Sequence, residues 1–268
     1  MTEEQKLTSG NRTRPLSRLL LLLTSLITGV LLWHLLARWL DLPAFILPGP
    51  GLVWRRFIRS LADGQLLRHS FATLLEVIAG LLLGGLTATI VGYLLSKSST
   101  LEKLISPYLV ASQSIPIVAI APLLVIWFGP GIFSKILICS LIVFFPVLIN
   151  TVVGLREVPQ DLRELMRSLR ATRAQTFWKL EVPAAMPIFL GGLRVGATLS
   201  VIGAVVGELV GADRGLGFLI NVGRGQYDTA LVFVSVGTLV AMAMALYGLV
   251  LLIERQLLSW QSWRQRTG

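Results

Sequence analysis

A single cysteine, Cys139, rules out an internal disulfide in this chain of 268 residues. The two histidines, His34 and His69, lie far apart, and no cysteine is spaced to share a metal with either, so a metal site is not expected. Charge is scarce: 14% of residues are Asp, Glu, Lys or Arg, against about 25% in soluble domains. There is no glycine-rich phosphate-binding loop, no Ser/His/Asp set, no paired-carboxylate arrangement and no CxxC. These gaps exclude P-loop nucleotide hydrolysis, triad hydrolysis and dithiol redox chemistry on this chain. No cofactor is expected on it either.

Apolar residues are abundant. They make up 54% of the chain, and the mean hydropathy is +0.75. They come in runs of about 20 residues or more, the length that crosses a roughly 30 Å hydrocarbon core. The hydropathy predicts an all-α, polytopic membrane protein with six spans: 19–40, 71–95, 107–128, 132–155, 184–210 and 229–253. The first run lacks a small-residue cleavage signal and ends in Trp33, His34, Arg38 and Trp39, so it reads as a retained span rather than a removed signal peptide. Gly129-Pro130-Gly131 is too short a break for anything but a tight reversal, which makes spans three and four antiparallel neighbours.

Charge orients the spans. With both termini cytoplasmic, the inner segments 1–18, 96–106, 156–183 and 254–268 hold 15 of the 24 Lys and Arg. The chain's excess of basic residues then reflects anionic headgroups, and no nucleic-acid partner is expected. The outer segment 41–70 breaks at Leu47-Pro48-Gly49-Pro50. Val53, Phe57, Ile58 and Leu61 then recur at helical spacing, away from Arg55, Arg56 and Arg59. This predicts a short amphipathic helix on the outer surface, which either connects spans one and two or meets an external partner.

Few ionisable residues lie inside the spans. Lys135 sits near a span start and is expected to snorkel; Arg194 is expected to reach the inner headgroups. Glu208 fits two readings, a hydrogen bond pinning the outer end or a polar group at a pathway or gate. The scarcity of mid-depth carboxylates and histidines argues against a proton-driven carrier. Gly80 with Gly84, Gly192 with Gly196, and Gly203 with Gly207 have the spacing for close helix approach. Span three carries Pro107, Pro116 and Pro122 with Ser112, Gln113 and Ser114 among them. These residues read either as packing kinks or as a movable, pathway-lining helix.

One polar island interrupts the grease, residues 157–183. Leu162, Leu165, Leu169, Phe177 and Leu180 set an apolar rhythm, with Arg163, Arg167, Arg170 and Arg173 between them. Asp161 and Glu164 precede the later bases, the order that suits a helix dipole. Pro159 suits a first turn. The island reads either as a helix held to lipid by its arginines or as a docking surface for a soluble protein, with Glu164 supplying directional contacts.

The run from Glu164 through Arg170-Ala171-Thr172 to Val182-Pro183 resembles the "EAA" loop of membrane subunits of bacterial ATP-binding-cassette importers. Segments 47–50, 114–129, and 207–208 with 215–220 are similar to the sulfonate, taurine, nitrate and thiamine-precursor permease group, and the likeness spans about residues 20–255. The resemblance implies a type I importer permease fold in the bacterial inner membrane. It implies a five-helix core over 71–255, with tails at 1–18 and 256–268, and a second permease subunit, usually an identical copy. It also implies ATPase subunits that carry ATP and magnesium, and an external substrate-binding protein. Coupling to the ATPase would fall to Arg163, Glu164, Arg167, Leu169, Arg170 and Ala171. Pathway or gate candidates are Ser112, Gln113, Ser114, Pro116 and Glu208. The motif's usual glycine is Arg170 here, which implies either continued helix or a different turn. Implied solutes are a thiamine precursor or similar heterocycle, a sulfonate, or nitrate. The competing classes are an ion-gradient-driven carrier that works without an ATPase and a membrane scaffold with no solute.

Overall fold

The computed structural model describes residues 15–39 and 43–258, and among them no strand forms. Most of the expected tails, and Leu40, lie outside the described residues.

Among the described residues, four continuous helices are long and apolar enough to cross a membrane. They are α3 (Gln65–Lys97), α6 (Ile132–Arg156), α9 (Val182–Val210, extended backward to Arg173) and α11 (Thr229–Leu257). They correspond to the expected spans two, four, five and six. At span one stands α1 (Pro15–Trp39), whose apolar run begins at Leu19. Span three differs from expectation. It is two helices, α4 (Ser99–Gln113) and α5 (Ile117–Phe128), bent by 91°. Pro107 and Pro122 stay inside their helices, so only Pro116 breaks the chain. It lacks an N–H and pushes Ile115 out of helical geometry.

The core is built around α6, packed between α3 and α9. Glycines set the separations. A Cβ at Gly84 of α3 would lie 2.9 Å from Ser140 Cα, and one at Gly203 of α9 would lie 2.8 Å from Cys139 Cα. Bare backbone at these contacts lets both helices close on α6, as the small-residue spacing predicts. Cys139 is accordingly fully buried.

The expected surface helix is α2 (Pro50–Ala62). Val53 and Phe57 pack against the core, while Ile58 and Leu61 stay exposed. Arg56 Nε lies 2.7 Å from Asp228 Oδ2, and Asp228 Oδ1 accepts from Leu231 N at 3.0 Å, capping α11. One carboxylate thereby joins α2 to the start of α11. At the same end α9 stops at Gly211 and α10 (Leu216–Gly225) folds back on it. The polar island crosses the opposite end between α6 and α9.

Candidate functional site

The island folds as α7 (Gln160–Ser168), a turn, and the short α8 (Arg173–Thr176), which runs through a π-helical turn at Phe177–Glu181 into α9. Pro159 is the residue before the helix rather than its first turn. Helical geometry divides α7. Arg163 and Arg167 lie one turn apart on one side, and Leu165 falls nearly opposite. Leu162, Leu165 and Leu169 are exposed. So is Glu164, which makes no ion pair among the described residues.

Arg163 fixes the helix in place. Its Nη2 donates to the Leu155 carbonyl at 2.6 Å, satisfying an orphan acceptor at the end of α6, and its Nη1 lies 3.7 Å from Glu181 Oε1. Glu181 also pairs with Lys97 of α3, and its side chain is only 3% exposed. The carboxylate therefore ties three elements together: the end of α3, the island helix and the start of α9. Sequence reading passed over Glu181. Its signal is that it is the last carboxylate before the Val-Pro that opens the next span.

At Arg170 the helix does not continue. The residue has φ +51°, in the left-handed region that favours glycine. Ala171 N donates to Met166 O at 2.9 Å and Arg170 N to Arg167 O at 2.9 Å, the paired bonds of a Schellman ending. Neither the continued helix nor the different turn expected of arginine forms: the turn usual for glycine is kept, with arginine bearing the strain. Thr172 then opens α8 with a capping box, its hydroxyl accepting from Gln175 N and its N–H donating to Gln175 Oε1. Arg170→Gly is expected to stabilise this turn by about 1 kcal/mol. Slower amide exchange at residues 169–172 would show it; unchanged exchange would mean that the arginine offsets the strain elsewhere.

The opposite end holds a polar cluster. Glu208 is fully buried. Its Oε1 accepts from the Thr73 hydroxyl at 2.6 Å, and Gly217 N donates to its Oε2. Thr73 Oγ1 in turn accepts from Leu216 N at 2.8 Å, and His69 Nδ1 from Gly215 N at 3.0 Å. The free N–H groups at the start of α10 are thus satisfied by α3 and α9. Gly215, at φ +116°, leaves room that a Cβ would take from the Glu208 carboxylate. Lys135, expected to snorkel, is instead buried, with Nζ 3.3 Å from Glu76 Oε1. Position alone misleads here, because α6 packs its first turn against α3. His69, Thr73 and Glu76 recur at spacings of four and three, and that one-face rhythm could have marked them. Arg194, expected at the headgroups, pairs with Glu254 of α11.

Ser112, Gln113, Ser114 and Pro116 stand at the 91° bend. Ser112 Oγ donates to Leu109 O at 2.8 Å, while Gln113, Ser114 and Pro116 are exposed. No hydrogen bond or ion pair among the described residues links this bend to Glu208.

Residues 77–259 match the family described as the binding-protein-dependent transport system inner membrane component. The chain belongs to that family. This permease is 44% identical to the riboflavin transport system permease protein RibX of Chloroflexus aurantiacus, over 82% of each chain. It is 35% identical to the formylaminopyrimidine transport permease protein ThiX of Halalkalibacterium halodurans, covering 87% of this chain and 92% of that one. The taurine transport system permease protein TauC of Escherichia coli is 30% identical, over 92% of each chain. Among solved structures, an inward-facing MetNI methionine transporter matches with a TM-score of 0.63 at 21% identity, covering 72% of this permease and 95% of that chain. That likeness supports the fold. The permease is thus a polytopic, all-α transport subunit of the ATP-binding-cassette importer type.

Proposed function

We propose that two copies of this permease line the path of a small solute across a bacterial inner membrane, driven by separate ATPase subunits that bind ATP and magnesium. Both termini and segment 156–183 face the cytoplasm, and an external binding protein delivers the solute. The observation that carries this reading is the exposed face of α7. Leu162, Leu165 and Leu169 are exposed beside Glu164, which has no ion pair among the described residues. An apolar patch rimmed by charge is what a protein partner covers. The chain carries no phosphate-binding loop, so the partner supplies the nucleotide site. Arg163 and the Arg170-Ala171 turn set the angle of the docked helix, with Arg167 and Leu169 at its edge.

A second copy is supported by the bent pair α4 and α5, where Tyr108, Val110, Ile126 and Trp127 are 65–74% exposed. Ser112, Gln113, Ser114 and Pro116, at the bend, are the residues proposed to line the pathway. Glu208 holds the outer reversal that closes it. The solute is a small nitrogen heterocycle: relatives named for riboflavin and formylaminopyrimidine share 44% and 35% identity with this permease, against 30% for the taurine permease. The test is uptake into vesicles. Radiolabelled riboflavin or formylaminopyrimidine should enter only when permease, ATPase, binding protein and ATP are all present. Uptake by the permease alone under an ion gradient would contradict the proposal.

A further inference from the structure

Two cavities meet beside the island. One is an apolar groove of about 330 Å³ between α3, α6 and α9, lined by residues such as Ile90, Leu94, Leu155, Met186 and Phe189. The other is a polar cleft of about 690 Å³, bordered by Lys97, Arg163, Arg167, Arg173 and Glu181. Tyr93 lines both. Its ring meets Phe177 edge-on at 5.1 Å on the groove side and lies 5.2 Å from Lys97 Nζ on the cleft side. The π-helical turn makes the junction, placing Phe177 in the groove and Glu181 in the cleft. Such turns often mark functional sites.

The charges in the cleft do not balance. Glu181 engages Lys97 and Arg163. Arg167 and Arg173 line the same cleft and have no ion pair among the described residues. The groove runs from Val182 to Phe189 along α9, roughly 10 Å of rise into the membrane-spanning part.

We propose that cleft and groove form one binding site for an anionic phospholipid of the island-side leaflet. Its phosphate sits between Arg167 and Arg173, with Lys97 at the edge, and one acyl chain fills the groove. A free anion has no use for the groove, and a soluble protein cannot reach into a span. A lipid carries both chemistries on one molecule. The exposed Trp178, edge-on to Phe177 at 5.1 Å, stands where interfacial aromatics sit. The bound lipid would brace the basic side of α7 and leave the leucine side free. The site rests on the spans and the cleft and holds whether or not an ATPase docks.

The full-length permease, purified in detergent, is titrated with phosphatidylglycerol or phosphatidylcholine, and bound lipid is counted by native mass spectrometry. Phosphatidylglycerol should be retained at one per chain, and phosphatidylcholine should not. R167Q/R173Q should weaken retention roughly tenfold or more, R167K/R173K should restore most of it, and Met186→Trp should also weaken it by filling the groove. Both arginines are exposed, so the charge variants keep the fold. Equal retention of the two lipids would overturn the site, as would displacement by millimolar inorganic phosphate, which marks a free-anion site. A double variant that loses the ATPase yet keeps its lipid would overturn it too, and would assign the arginines to the protein interface.

Discussion

Lys135→Met is expected to lower the stability of the folded permease by about 3–5 kcal/mol. The Lys135 and Glu76 side chains are each only 2% exposed, with Nζ 3.3 Å from Oε1. Little solvent reaches that pair, so little screens it or compensates for its loss. Glu76 Oε2 already lacks a hydrogen-bond partner among the described residues. Removing the lysine leaves that carboxylate buried, with Glu208 beside it and without its paired cation. The readouts are thermal midpoint and monodisperse yield in detergent. Glu76→Gln with Lys135→Met should recover much of the loss, because it removes the charge that the single change strands. Equal damage in the single and double variants would mean that Lys135 acts through packing alone, for example against Gly207, where a Cβ would lie 3.1 Å from its Cγ.

Leu165→Asp is expected to have the opposite profile, normal folding and failed coupling. Leu165 is 53% exposed, so the change costs the isolated permease little. In a docked interface the aspartate would be buried without a partner, an effect of about 2 kcal/mol or more at an interface hot spot. ATPase affinity should fall at least roughly tenfold, and uptake with it. Glu164→Ala should uncouple in the same direction. Ile58→Asp, on the equally exposed face of α2, should leave coupling intact.

The sequence made the spans legible because 20-residue apolar runs have few alternatives. The small-residue spacings located helix contacts correctly: Gly84 and Gly203 both meet α6, the former at Ser140 and the latter at Cys139. The apolar side of α7 was readable from its period. Long-range partners were not. Thr73 and Glu208 are 135 residues apart, and Arg194 and Glu254 are 60 apart. Only the packing of α3, α6, α9 and α11 brings them together. Lys135 misled because snorkelling is the ordinary fate of a lysine near a span end, and only its neighbour on α3 makes burial tolerable. Arg170 misled for a local reason. Arginine avoids positive φ, so its type argued for helix, while the paired bonds of Ala171 and Arg170 to the preceding turn kept the glycine geometry. The three prolines in span three advertised a break without saying which one would bend the chain. Only Pro116 does, because Ser114 and Ile115 before it have left α4 and Ile117 after it opens α5.

ATP hydrolysis and solute uptake, measured on the same vesicles for wild type and Leu165→Asp with ATPase and binding protein present, test the coupling role of α7 most directly. Docking through α7 predicts that wild-type hydrolysis rises when loaded binding protein is added and that uptake accompanies it. In Leu165→Asp both responses should be lost while the permease remains folded in the membrane. Unchanged uptake and unchanged stimulation in that variant would contradict a docking role for the island.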